Sequence, residues 1–261
     1  MQDRVHPLEG ISNFRDFGDY PTRDGARVVK GRLFRSGTLA KPTAADVDTL
    51  RPFDVRLVTD LRREYERVKE PSVWPEAGIA RVVCGPLHLQ RSEPPSFITF
   101  LHQPGLSAAE TRQFAIQAFN EIPFDPLYLH LFGDALRAIA DAEAAVVVHC
   151  SQGKDRTGLL CALTQTILGV PEELITADFE LTNSVIDLKN RLPEAREAFS
   201  RRYGVNVTLE ALEPMLGVEA AYLQSAFQSM RDRCGSIEAY LDEIGVTASI
   251  RERMRVRFLV E

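Results

Sequence analysis

No stretch of this 261-residue chain approaches the ~20 consecutive apolar residues of a membrane-spanning helix. No membrane span is expected. The first residues, Met1-Gln2-Asp3-Arg4-Val5-His6-Pro7, lack the apolar core of a signal peptide. The cytoplasm is therefore the expected location, with secretion by a route that needs no such signal left open. A basic excess is missing as well: 31 Lys+Arg stand against 37 Asp+Glu, a net charge of -6. That balance argues against a general nucleic-acid binder. Cysteine is scarce. Cys84, Cys150, Cys161 and Cys234 make no Cys-x-x-Cys pair and fall at no metal-ligand spacing, so neither a disulfide framework nor a metal site is expected. Internal repeats and low-complexity tracts are absent. What remains is an ordinary globular composition with enough length for a substantial core.

Apolar runs and turn signals alternate along the chain in α/β order. Arg27–Val29 and Leu33–Arg35 read as short strands split by a Lys30-Gly31 turn. Pro42-Thr43 opens a helix through Leu50, with Thr43 as its N-cap. Val55–Thr59 and Ile79–Cys84 read as strands, the second closed by Pro86. Pro94-Pro95 and Pro104-Gly105 mark a long irregular connection, followed by helix through Phe119. Asp125-Pro126 is a cap with proline at the first helical position. Leu129, Phe132, Leu136 and Ile139 then repeat at three and four, one apolar stripe. Val146–His149 is a core strand. From Pro171 on the pattern is all helical, with Ser236 and Thr247 as caps of short helices. The expected fold is a single 1–261 α/β domain with a central, largely parallel sheet flanked by helices. Residues 86–120 form an insert that is a candidate lid, and 171–261 a helical part packed on the core. The active site is expected at the carboxyl end of Val146–His149.

The segment from Ala144 to Leu168, AAVVVHCSQGKDRTGLLCALTQTIL, carries the chemistry. It reads as a buried strand, a short loop and a helix, with Cys150 and Arg156 six positions apart and Thr157-Gly158 after them. A phosphate monoester carries up to about two negative charges. A tightly curled loop turns its backbone N–H groups inward as a nest for such an anion, and the helix start adds unpaired N–H groups. Arg156 grips two phosphate oxygens with its planar fork. The same positive field favours the thiolate of Cys150, placed to attack phosphorus. Ser151, Gln152, Gly153, Lys154 and Thr157 complete the expected phosphate site. Gly153 suits a sharp turn. The Thr157 hydroxyl is expected to hydrogen-bond the Cys150 sulfur, and His149 to order the loop. The plain alternative is a structural cysteine on an ordinary strand-loop-helix crossover.

His-Cys-Ser-Gln-Gly-Lys-Asp-Arg-Thr-Gly at 149–158 resembles the phosphate-binding loop of cysteine-dependent protein tyrosine phosphatases. The Gly-Lys-Asp-Arg variant is similar to the atypical bacterial group of tyrosine, dual-specificity and lipid phosphatases. Asn13-Phe14-Arg15-Asp16-Phe17-Gly18, Gly31-Arg32-Leu33-Phe34-Arg35-Ser36-Gly37, Asp60-Leu61-Arg62 and Gly235-Ser236-Ile237-Glu238-Ala239-Tyr240-Leu241 fit the same group. The resemblance implies a tyrosine phosphatase-like fold and a phosphorylated protein or phosphoinositide as substrate. It also implies that Asp155, inside the loop, is the general acid. The physical case for Asp155 is mixed: Lys154 and Arg156 favour its charged form, and a bound phosphate dianion pushes the other way. Its other reading is a carboxylate that orients Arg156 or caps the helix. Lys154 resembles the lysine that admits phosphoinositide headgroups; otherwise it is a solvated loop lysine.

Other residues take plainer readings. His88, His102 and His130 have no metal partner at ligand spacing. Cys84 ends a strand expected to run beside the catalytic one, as an inert buried thiol or a disulfide partner for Cys150. Asp60 is a second general-acid candidate or a structural partner of Arg62. Phe97, Phe100 and Leu101 are a candidate apolar lid or ordinary core. The expected enzyme is a phosphomonoesterase working through a cysteinyl-phosphate, without cofactor or metal, since arginine and backbone amides supply the electrostatics. A catalytically silent phosphoinositide- or phosphopeptide-binding module and a sulfur-transfer or arsenate-reducing enzyme are the alternatives.

Overall fold

The computed structural model describes residues 4–73, 81–86, 89 and 95–261. Its strands are Arg15–Asp16 (β1), Arg27–Val28 (β2), Leu33–Ser36 (β3), Val55–Asp60 (β4), Arg81–Cys84 (β5), Ala145–His149 (β6) and Leu259–Val260 (β7). Five of them form one sheet in the order β1-β3-β6-β4-β5. β3, β6, β4 and β5 run parallel, and β1 is antiparallel to β3. β6 lies at the centre with all five residues buried, which is why it reads as an unbroken apolar run rather than an alternation. The register aligns Ser36, His149 and Asp60 across β3, β6 and β4. The loops leaving these three strands therefore meet at one place.

The helices start where capping chemistry permits. Thr43 and Asp46 form a capping box at α1 (Ala44–Leu50). α2 (Glu64–Lys69) follows β4, and α3 (Pro95–Leu101) precedes α4 (Ala108–Glu121), which Ser107 caps. Asp125 caps α5 (Pro126–Ala140), with Pro126 as its first residue. α6 (Asp155–Ile167) leads to α7 (Glu172–Val185), α8 (Leu188–Tyr203) and α9 (Leu209–Leu216). α10 (Ala220–Cys234) ends at Gly235, and Ser236 caps α11 (Ile237–Glu243). Thr247 stands at the start of α12 (Ala248–Phe258), but its side chain makes no capping bond. Among the described residues no helix is long and apolar enough to cross a membrane.

Alternation along β6 divides the core. Val146 and Val148 pack with Phe132, Leu136 and Ile139 of α5 and Leu159 and Leu163 of α6 in the larger cluster. Ala145 and Val147 pack on the other face with Phe14, Phe34, Leu50 and Val58. A third cluster joins Phe100 and Leu101 of α3 to Leu192 of α8 and Ala211 and Leu212 of α9.

Three expectations change. β2 pairs antiparallel with the C-terminal β7. The part after Pro171 is thus not wholly helical. The Pro94-Pro95 connection is not irregular throughout, because Pro95 opens α3; proline lacks an N–H that the first helical turn leaves unpaired anyway. Cys84 is neither beside the catalytic strand nor buried: β5 pairs with β4, and Cys84 is exposed. Ile79, the start assigned to that strand, lies outside the described residues, as does His88.

Candidate active site

β6 ends at His149, and Cys150 follows as a buried residue at the edge of a cleft of about 570 Å³. Ser151, Gln152, Lys154, Asp155 and Arg156 also line this cleft, whose volume suits a small ligand or a large side chain. Gly153 turns the loop at φ +68, and a Cβ there would lie 2.3 Å from the Ser36 carbonyl oxygen. Only glycine accommodates both the left-handed backbone and that approach. The loop is held from outside. The Thr38 N–H donates to the Ser151 carbonyl at 3.0 Å. Asn13 Nδ2 donates to the Gln152 and Gly153 carbonyls at 3.2 and 2.8 Å. Arg35 Nη2 donates to the Gly153 carbonyl at 2.9 Å.

Arg156 stands in the first turn of α6, and its fork is held by Glu66 of α2. Nη1 donates to Oε2 at 2.6 Å and Nη2 to Oε1 at 2.8 Å. Nη1 also reaches the Leu61 carbonyl at 3.2 Å, and Ser151 Oγ donates to Glu66 Oε1. Burial alone would raise Glu66, but its bonds from Arg156 and Ser151 outweigh that and bring its pKa down to about 2. Of the five guanidinium N–H groups, these contacts leave Nε and the second Nη2 hydrogen, enough for a two-pronged contact with an oxyanion.

Of the other expected site residues, Gln152, Lys154 and Asp155 line the same cleft, whereas His149 and Thr157 lie buried behind it. Asp155 is the first residue of α6; its carboxylate meets Lys154 Nζ at 3.5 Å, does not cap the helix and makes no hydrogen bond to Arg156. Lys154 is not a solvated loop lysine. It is buried, and Nζ donates to the Met215 and Gly217 carbonyls at 2.6 and 3.1 Å, at the end of α9. The Thr157 hydroxyl is fully buried and makes no hydrogen bond, so the bond to the Cys150 sulfur expected for it is not formed. Gln152 is exposed. His149 Nδ1 donates to the Cys150 carbonyl at 3.3 Å, and burial pushes the imidazole below its ordinary value.

Asp60 pairs with Arg62 at 2.7 Å. Burial would raise its carboxyl, but His149 and Arg62 outweigh burial and hold it below the usual range. A carboxyl kept ionised is a poor proton donor, so Asp60 is the structural partner. Phe100 and Leu101 are core of the α3–α8–α9 cluster, while Phe97 lines the cleft with Phe114, Phe199 and Tyr222. The sequence assigns no role to Glu66, and to Asn13 and Arg35 only membership of segments that fit the family resemblance. The signal for Glu66 was positional: it follows Asp60-Leu61-Arg62 at the end of the strand beside β6.

The family model described as "Tyrosine phosphatase family" matches residues 6–260. A Cupriavidus necator protein assigned provisionally to the tyrosine-protein phosphatases is 29% identical over 237 residues, covering 90% of this chain and 81% of its own length. The triple specificity protein phosphatase PtpB of Mycobacterium tuberculosis is 28% identical over 278 residues, covering 96% of this chain and 98% of PtpB. Among solved structures, P. aeruginosa TpbA is 20% identical, with a TM-score of 0.31, over 59% of this chain and 71% of that one. This chain belongs to the tyrosine phosphatase family.

Proposed function

We propose that this member of the tyrosine phosphatase family is a cysteine-dependent phosphomonoesterase working through a cysteinyl-phosphate. One observation carries the reading: the Cys150 thiol lies in a cleft whose rim is the loop to Arg156 and the first turn of α6. The Cys150 thiolate attacks phosphorus in line with the ester oxygen. The S–P bond forms, the P–O bond breaks, and the leaving oxygen takes a proton from Asp155. Water then gives one of its own protons to Asp155 as its oxygen attacks phosphorus, the S–P bond breaks, phosphate leaves and the thiolate is regenerated. Backbone N–H groups of Ser151 to Thr157, with the free Arg156 donors, bind the equatorial oxygens throughout. No step calls for a cofactor.

The favoured substrate is phosphotyrosine, with phosphoserine, phosphothreonine and phosphoinositides as further candidates. Aromatic residues beside the loop, Phe97, Phe114 and Tyr222, suit a flat apolar arm. A headgroup with extra phosphates would need more free cations, and Lys154 is already bonded to two carbonyls. Release of phosphate from an aryl phosphate, and its loss in Cys150→Ser with phosphate binding kept, are the expected results. A Cys150→Ser variant within tenfold of the parent would exclude the covalent route. Phosphate binding without turnover in the unaltered protein would favour the silent binding module instead.

A further inference from the structure

We infer that Asn13 and Arg35 are positioning residues: they hold the loop carbonyls outward so that its N–H groups face the cleft, a role that rests on the phosphatase reading above. In a planar trans peptide the C=O and N–H of one unit point in opposite directions. Asn13 takes the carbonyls of Gln152 and Gly153, and Arg35 those of Gly153 and Lys154 at 2.9 and 3.4 Å. The N–H groups of Gly153, Lys154 and Asp155 belong to those same three units. Turning the carbonyls one way therefore turns these donors the other. An anion nest needs such concerted orientation, and a short loop does not hold it unaided.

The two holders are themselves fixed in a dry cluster. Arg15 Nη1 donates to Asn13 Oδ1, and Arg15 Nη2 to the Asp178 carbonyl and to Thr182 Oγ1, both at 3.0 Å. Arg35 Nη1 pairs with Asp178 Oδ2 at 3.0 Å. Both arginine side chains are 0% exposed, and the single carboxylate between them is 1% exposed. Two buried cations on one carboxylate leave a surplus positive charge, which costs folding stability. Stability therefore does not account for the arrangement. A phosphate dianion held on the other side of the loop does, since it supplies the missing negative charge and needs the donors that the cluster orients.

The test is inorganic phosphate binding, read as competitive inhibition and by phosphorus NMR, in Asn13→Asp and Asn13→Ala. Asn13→Asp keeps the acceptor for Arg15, adds a negative charge to a cluster with a positive surplus, and turns an oxygen instead of a donor toward the two loop carbonyls. The expected result is an unlowered melting temperature for Asn13→Asp, with phosphate affinity down about tenfold or more in both variants. KM for an aryl phosphate should rise in step. Variants that fold and bind phosphate as the parent does would overturn the positioning role while leaving the phosphatase reading intact. Failure of both variants to fold would overturn it too, as Asn13 would then be a folding determinant. A parent protein that binds no phosphate would sink the phosphatase reading itself.

Discussion

Replacing Glu66 by glutamine removes one charge from the pair that holds Arg156 and changes little in shape. The carboxylate accepts two bonds from the guanidinium, one from Ser151 and one from the Arg63 N–H, and only 16% of its side chain is exposed. Its pKa falls from 4.5 to about 2 on folding. At about 1.36 kcal/mol per unit that depression is worth roughly 3 kcal/mol at neutral pH. Glutamine keeps part of the hydrogen bonding, on the order of 1 kcal/mol. Glu66→Gln should therefore lower stability at pH 7 by about 2 kcal/mol.

The sign of the pH dependence follows from the same numbers. A group whose folded pKa is depressed stabilises the fold above its unfolded value and loses that contribution as pH falls toward the folded one. For Glu66 the loss runs from about 4.5 down to about 2. Urea unfolding of parent and Glu66→Gln at pH 7 and pH 3 should show the gap shrinking by more than half at the lower pH, since the other carboxylates cancel in the difference. At pH 7, kcat/KM for an aryl phosphate should fall about tenfold or more, because the fork of Arg156 is no longer aimed. An equal stability gap at both pH values would refute the ion-pair reasoning. A rise in kcat/KM would refute the positioning of Arg156 and mean that Glu66 only competes with phosphate.

Asp155→Asn should slow alkyl phosphates ~10²–10⁴-fold more than an activated aryl phosphate, whose leaving group departs unprotonated. Steady-state kinetics across leaving groups checks this, with Asp60→Asn as a control lacking the dependence; equal losses across leaving groups would refute the acid assignment. Gly153→Ala, whose new methyl would lie 2.3 Å from the Ser36 oxygen at φ +68, should cost about 1–3 kcal/mol of stability. Calorimetry and a phosphate titration should show both the destabilisation and the lost binding; an alanine variant that binds phosphate normally would mean that the loop tolerates a different backbone.

What was legible in the sequence was local. The β6–loop–α6 segment is continuous, so its valine run, Gly153 and Arg156 could be read in order, and Thr43, Asp125 and Ser236 announced helix starts through their own side chains. What was not legible depends on partners distant in the chain. β2 and β7 are two residues each, too short to show a period, and their pairing joins the two ends of the chain. Strand order is likewise a non-local fact: nothing in Arg81–Cys84 says that β4 intervenes between it and β6. The Pro94-Pro95 pair read as a breaker because proline ends helices more often than its neighbours do, yet Pro95 occupies the one place in a helix where it does no harm.

The same division runs through the site. Cys150 to Thr157 share one stretch of chain, whereas Asn13, Arg35 and Glu66 arrive before β1, on β3 and on α2. Those three residues act on the loop by charge and hydrogen bonding, and charge summed over the whole chain hides them. The total is -6, yet Arg15, Arg35, Lys154 and Arg156 are gathered in or behind a single loop, with Asp178, Asp155 and Glu66 as their paired carboxylates. Exposed charges farther than about 8 Å are largely screened at physiological salt, while buried ones are not. The surface acids that make the protein negative therefore weigh little at the cleft. A handful of buried cations sets the field there, and that field is what an oxyanion meets.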